Sequence, residues 1–240
     1  MNTVLFDLDG TLLPMDQDEF IRLYMEGLAR RFVPFGYEPA GFCRALTEAT
    51  FAVIKNQTED TNEEVFWKAF SERTDQRIRD REPVFLDYYE KEYRSLRRVV
   101  KESRKSRAVV DLLKNKGYEV VLATNPVFPQ AATWQRMEWA GVSPDDFSYV
   151  TTFENSRRCK PYPDYFRELL DKLGKKPEDC MMVGNDVDDD MVSTDALGIP
   201  NYLITDFLIN RKNRDLAKWR HGGFEDFMAF AKGLPEVETK

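Results

Sequence analysis

After about residue 107 the sequence settles into an alternation that few folds can satisfy. RAVVDLLKNKG carries the apolar spacing of a helix with Gly117 at its end, and YEVVLATN is a strand-length apolar run that ends in polar residues. QAATWQRMEWAG, SYVTTF, PDYFRELLDKLG, CMMVGND, DMVSTDALG and NYLIT continue the series as helix, strand, helix, strand, helix, strand. Strands joined by helices of about ten residues need right-handed crossovers and a parallel sheet covered on both faces. The fold class is therefore α/β, a doubly wound parallel sheet.

One further strand is expected far from the others, at residues 3–7 in TVLFDLDGTLL. Between about Asp16 and Glu102 the pattern is helical throughout. DEFIRLYMEGLARRF, NEEVFWKAFSERT and PVFLDYYEKEYRSLRRVV all place apolar residues three and four apart, and no convincing strand interrupts them. The expected organisation is a core made of residues 1–14 and 103–240, with an all-helical domain, residues 15–102, inserted after the first strand. Phe20, Tyr24, Phe66, Trp67, Phe70, Phe85, Tyr88 and Tyr89 fall mostly at helical spacing and are expected to form the core of the insert.

With 240 residues, 42% of them hydrophobic, the chain can bury a sizeable core and is not a candidate for disorder. A net charge of −7 argues against a general nucleic-acid binder. The basic run RSLRRVVKESRKSR, accompanied by Glu92 and Glu102, reads as a solvated helix near the junction of insert and core. No apolar run approaches membrane-spanning length, and no basic-plus-apolar leader precedes the first strand, so a cytoplasmic location is expected. Cys43, Cys159 and Cys180 have neither zinc nor redox spacing and read as reduced packing residues. His221, after the last expected strand, has no evident partner.

In open sheets of this kind ligands collect beyond the carboxyl ends of the strands. Those ends carry Asp7 and Asp9, then Thr124 and Asn125, then Asn185, Asp186 and Asp188 to Asp190, with Lys160 following the SYVTTF strand. Taken alone, Asp-x-Asp before a glycine is ordinary turn chemistry. Here it ends a buried strand, where two like charges need a cation or hydrogen bonds to be tolerated. Carboxylates from two strands make an oxygen-rich site suited to magnesium. A calcium loop starting at Asp186 fails where Met191 replaces the glycine and Leu197 the terminal glutamate. Bland readings remain for single residues. Asp188 and Asp189 read as solvated acids near a helix start, Thr124 and Asn125 as a strand stop and helix cap, and Lys160 as a loop lysine.

VLFDLDGTL, LATN, KPYPDYF and VGNDVDDDM together resemble the four motifs of the haloacid dehalogenase superfamily, and the helical insert is similar to that of its helical-cap branch. The resemblance implies a phosphatase in which Asp7 is the nucleophile and Asp9 the general acid and base. It further implies that Thr124 and Asn125 bind the phosphoryl group, and that Lys160 supplies positive charge under the control of Asp190. Magnesium would be held by Asp7, the carbonyl of Asp9 and a fourth-motif residue. Counting from Gly184 puts Asn185 at that position, whereas charge and hardness favour Asp186. The expected partner is a small phosphorylated substrate, with no nucleic acid or membrane involved; its identity and the oligomeric state are left open. Three alternatives compete. A metal-independent 2-haloacid dehalogenase of the same superfamily lacks the second acid. A phospho-acceptor signalling domain is similar in its residue types but carries its aspartate on a later strand. A non-enzymatic binding scaffold would not need the acids and lysine intact.

Overall fold

The computed structural model describes residues 1–101 and 105–237. The expected boundary between residues 102 and 103, and residues 102–104 of the basic run, lie outside the described residues. The sheet contains β1 (Thr3–Phe6), β2 (Glu119–Leu122), β3 (Tyr149–Val150), β4 (Cys180–Gly184), β5 (Asn201–Ile204) and β6 (His221–Gly222). They run parallel in the order β3-β2-β1-β4-β5-β6. The direction of winding reverses between β1 and β4, which opens the crevice in which such sheets bind ligands.

β1 lies at the centre because Thr3, Val4, Leu5 and Phe6 are all fully buried, as a strand covered on both faces requires. Leu5, Val121 and Met182 pack under Tyr165, Phe166 and Leu169 of α7 (Pro163–Leu173). On the other face Val4, Phe6, Leu122 and Val183 meet α5 (Lys105–Asn115) through Val109 and Leu113. The same face receives α9 (Phe224–Gly233), whose Phe227 ring lies 5.7 Å from that of Phe6. The sheet is thus doubly wound, as the alternation requires.

Between β1 and α5 the chain forms α1 (Gln17–Phe32), α2 (Pro39–Ile54), α3 (Asn62–Arg73) and α4 (Glu82–Glu90). Asp16 caps α1 by accepting the Glu19 N–H at 3.0 Å, and Thr61 with Glu64 closes a capping box on α3. All eight aromatics expected in the core of the insert are buried. Phe42 is the hub of a ring cluster, 4.7 Å from Phe32 and 5.4 Å from Phe70. The insert joins the core through an antiparallel bridge between Met15 and Val100, and the Lys101 N–H donates to the Pro14 carbonyl at 2.8 Å.

Several boundaries differ from the sequence reading. The apolar spacing over 83–100 suggests one helix, yet α4 stops at Glu90 and Tyr93–Val99 tightens into 3-10 geometry. The break turns Tyr93 inward, where it stacks on Trp139 of α6 (Gln130–Trp139) at 5.4 Å. SYVTTF keeps only two strand residues, because the Thr151 hydroxyl donates to the Thr124 carbonyl and Asn155 accepts the Thr152 N–H, which turns the chain. DMVSTDALG becomes a π-helical turn, Val187–Val192, followed by α8 (Ser193–Asp195). His221 does not follow the last strand: it lies in β6, with Nδ1 2.9 Å from the Trp219 carbonyl. Among the described residues no helix is long and apolar enough to cross a membrane.

Because Phe42 is 2% exposed and packed on three sides by rings, Phe42→Ala should remove about 3–5 kcal/mol of stability. Urea unfolding followed by circular dichroism measures this. A loss well under 1 kcal/mol would show that the ring cluster collapses around the gap.

Candidate active site

Hydrogen bonding continues one residue beyond β1 and one beyond β2. The Asp7 N–H donates to Val183 at 2.9 Å, and the Ala123 N–H donates to Phe6 at 2.7 Å. The three central strands therefore end at one level, and the residues after them open into one chamber. Its volume is about 150 Å³, and Asp7, Asp9, Thr124, Asn125, Lys160, Asn185, Asp186 and Asp190 all line it. The structure brings together all eight of the residues singled out in the sequence.

Lys160 is 1% exposed, and its Nζ donates to Asp7 Oδ1 at 3.0 Å and to Asp190 Oδ1 at 2.6 Å. The other Asp190 oxygen accepts the Asp186 N–H at 3.0 Å. This close approach is possible because residue 184 is glycine: a Cβ there would lie 2.1 Å from Asp190 Oδ2. Burial, reinforced by the charges of Asp190 and Asp9, outweighs the pull of Lys160 and pushes Asp7 up to about 8.

Asp9 follows in a turn that Gly10 makes at φ +85°, a left-handed conformation in which a Cβ would also strike the Asn185 amide. The Asp9 carboxylate lies 3.3 Å from Nε of Arg136, a fully buried guanidinium on α6. Arg136 Nη1 donates to the Tyr93 hydroxyl at 3.2 Å, and the guanidinium lies 4.3 Å from the Phe128 ring centre. Asp9 Oδ1, Arg136 Nε and Arg136 Nη2 are buried without a well-formed hydrogen bond. Burial raises Asp9 above the ordinary carboxylate range, opposed by the charges of Arg136 and then Lys160. The sequence reading missed Arg136. Its signal is position: Ala132, Thr133, Trp139 and Ala140, its neighbours three and four residues away, are all buried, so the arginine sits on the inward stripe of its helix.

The fourth motif divides its labour. The Asn185 amide is committed to packing, accepting from the Thr11 hydroxyl at 3.1 Å and donating to the Phe207 carbonyl at 2.7 Å. Asp186 Oδ1 accepts the N–H groups of Asp188 and Asp189, and its Oδ2 accepts from Arg211 at 3.1 Å. Asp188 pairs with Lys212 and Arg214. Asp189 is not a solvated acid: it lines the chamber, 3.4 Å from the Asn125 amide nitrogen, and burial with the charges of Asp186 and Asp190 pushes it up to about 7. Nor do Thr124 and Asn125 cap the next helix. That helix starts at Gln130, whose N–H is accepted by Glu154 at 2.8 Å.

The donor set fits a magnesium ion. Five carboxylates (Asp7, Asp9, Asp186, Asp189 and Asp190) face three cationic side chains (Lys160, Arg136 and Arg211), an excess of two negative charges when all are ionised. Buried Asp9 Oδ1 and Asn125 Oδ1 lack hydrogen-bond partners. Among the described residues no three acidic, histidine or cysteine side chains form a finished cage. Magnesium is commonly held by one or two carboxylates and completed by water and substrate oxygens. The Asp9 carbonyl, which the family resemblance directs toward the metal, accepts from Gln17 Nε2 at 2.5 Å and keeps a second lone pair.

A family model described as haloacid dehalogenase-like hydrolase matches residues 1–193. Pyrophosphatase PpaX of Bacillus cereus (strain AH820) is 25% identical over 185 residues, covering 77% of this chain and 74% of the relative. Among solved structures, a HAD phosphatase from Thermococcus onnurineus superposes with a TM-score of 0.61 at 20% identity, covering 99% of this chain and 100% of the other. The HAD-hydrolase YfnB of Bacillus subtilis, solved bound to magnesium, gives 0.56 at 14% identity over 97% and 99% of the two chains. At these identities the structural likeness establishes the fold.

Without metal, the folded chain holds protons on Asp7 and Asp189 that the unfolded chain has already released. Between about pH 4 and about pH 8 the unfolded state thus binds fewer protons, and these two groups make stability fall as pH rises. In chelator at pH 8, Asp7→Asn should therefore melt above the wild type, by roughly 2–4 °C for each kcal/mol recovered, and the gain should shrink toward pH 4. Thermal melts at the two pH values measure it. A lower melting temperature for the variant at pH 8 would contradict the burial penalty on Asp7.

Proposed function

The chain belongs to the haloacid dehalogenase-like hydrolases, and within that family we propose that it is a magnesium-dependent phosphomonoester hydrolase working through an aspartyl-phosphate on Asp7. The observation that carries this reading is the buried Lys160 ammonium, 3.0 Å from Asp7 and 2.6 Å from Asp190, in a chamber that also receives the second acid, Asp9. A relative named as a pyrophosphatase supports phosphorus as the reacting centre.

Lys160 engages Asp7 Oδ1, which leaves Oδ2 to attack phosphorus, ionised where a bound magnesium ion would offset the burial that otherwise keeps Asp7 protonated. As the new O–P bond forms, the ester P–O bond breaks and the departing alkoxide takes a proton from Asp9. Burial, which raises Asp9, favours the protonated form that this step needs. Asp9, now ionised beside Arg136, then removes a proton from water. That water attacks phosphorus, the Asp7–phosphorus bond breaks, and inorganic phosphate leaves. Thr124 and Asn125 hydrogen-bond the transferring group, and Lys160 offsets its charge. Asp190 fixes the ammonium through a 2.6 Å contact and is a positioning residue. Magnesium, when bound, would be held by Asp7, Asp186 and the Asp9 carbonyl, and would neutralise charge on the phosphate. Asp186 is preferred over Asn185, whose amide is already committed to Thr11 and Phe207. Asp189 supplies further negative charge beside the metal position. The substrate is a small phosphorylated metabolite, and three unpaired cysteines suit the reducing cytoplasm.

With an aryl phosphate, turnover should require magnesium, be abolished by a chelator and be lost in Asp7→Asn. Asp9→Asn should slow turnover by roughly a hundred- to ten-thousand-fold. After brief exposure to acetyl phosphate and magnesium, intact-mass measurement should show an added phosphoryl group on that variant but not on the wild type. Metal-independent release of halide from a 2-haloacid would instead support the dehalogenase reading, and a long-lived adduct on the wild type would support a signalling role.

A further inference from the structure

A second cavity, of about 460 Å³, lies between the helices of the insert and the core segments 127–129 and 153–154. It meets the small chamber at Ile21, Val127 and Phe128, which line both. We infer that this cavity takes the leaving group of the phosphate ester, and that this group is bulky, largely apolar and without negative charge. The inference rests on the phosphatase reading and adds the chemical class of the substrate.

Shape and polarity argue for it together. The volume falls in the range of small-molecule sites, and Met25, Leu46, Phe66, Phe85 and Phe153 supply apolar walls. Three of the large apolar side chains that remain exposed, Ile21 at 39%, Phe51 at 55% and Leu86 at 47%, converge on this cavity. A concentration of exposed apolar surface beside a polar chamber marks a binding site. Much of the lining's neutral polar character is spent internally. The hydroxyls of Thr47 and Thr50 donate to carbonyls of their own helix, and those of Tyr24 and Tyr89 pair at 2.8 Å. A sugar rich in hydroxyls would leave unpaired those of its groups that face phenylalanine and leucine.

Charge supplies the exclusion. Glu63, Glu82 and Glu154 line the cavity and form no ion pair within 4 Å among the described residues, and buried Glu154 Oε2 accepts no hydrogen bond there. Glu63 is raised by burial and by the charges of Glu154 and Glu82, which outweigh the opposing charge of Arg79. Among the described residues Arg211 is the one cation in the lining, and its charge is divided between Asp186 and solvent, to which its side chain is 66% exposed. A second phosphate or a carboxylate on the substrate would be desolvated among like charges. Any polar substituent that fits must be a hydrogen-bond donor.

The test compares esters of primary alcohols with magnesium present: ethyl phosphate, 2-phenylethyl phosphate and 2-phosphoglycolate, together with pyrophosphate. The expected kcat/KM for the phenylethyl ester exceeds that for ethyl phosphate by roughly ten- to a hundredfold, the worth of burying a phenyl ring. Phosphoglycolate and pyrophosphate should fall below ethyl phosphate. Phe51→Ser should lower the phenylethyl-to-ethyl ratio several-fold, and Glu63→Gln with Glu82→Gln should raise the phosphoglycolate-to-ethyl ratio. A phenylethyl-to-ethyl ratio near one, or preference for either polyanion, overturns the inference while leaving the phosphatase reading intact. Failure of every ester to turn over would instead defeat the phosphatase reading. Calorimetric titration with 2-phenylethyl phosphonate and ethyl phosphonate then decides on the cavity, since equal affinity refutes it and tighter phenylethyl binding upholds it.

Discussion

An ammonium 1% exposed to solvent and held between two buried carboxylates ties the polar end of this molecule together. Asp7 arrives from β1, Lys160 from the loop after β3 and Asp190 from the turn after β4, so one charged cluster joins three segments distant in sequence. The rings of Tyr165 and Phe166, the first aromatics of α7, lie 5.8 and 6.0 Å from Nζ and shield it from water. Removing Asp190, the nearer partner at 2.6 Å, would cost about 3–5 kcal/mol, because the ammonium would stay in the low-dielectric interior with only the raised Asp7 carboxyl beside it. Geometry here is thus maintained by electrostatic necessity as well as by the sheet.

The excess of carboxylates explains the rest of the wiring. Arg136 reaches Asp9 from beneath, within a cage of Tyr93, Phe128 and Phe20. Arg211 reaches Asp186 from outside, with its side chain 66% exposed. The two cations differ in consequence. Arg136 cannot leave without opening the core, whereas Arg211 can exchange its partner for solvent. Gln17, the first residue of α1, adds a contact from the insert to the Asp9 carbonyl, so the insert touches the turn that carries the second acid.

The parts of this arrangement that are local in sequence are legible there. Apolar runs of strand length ending in polar residues give the parallel sheet and the level at which Asp7, Thr124 and Asp186 emerge, because a parallel register aligns strand ends. The aromatic spacing of the insert gives its core. What is not legible depends on partners far away. Tyr93 leaves helical geometry for Trp139, and β6 is two residues long with no alternation to read. Asp189 looks like one more solvated acid in an acidic run until the turn after β4 rotates it into the chamber. Arg136 stands on the inward stripe of its helix, but nothing near it in sequence reveals that Asp9 waits on the other side.

Gly184 turns the absence of a side chain into a requirement. Any Cβ at that position would lie 2.1 Å from an Asp190 oxygen, and the Asp190 carboxylate is the anchor of Lys160. Mutational drift among descendants of this chain is therefore not free at this position even though glycine offers no functional group. A descendant that keeps the lysine and the acid must keep the missing methyl group along with them. A hydrogen atom is in this sense as heritable a part of the chemistry as a carboxylate.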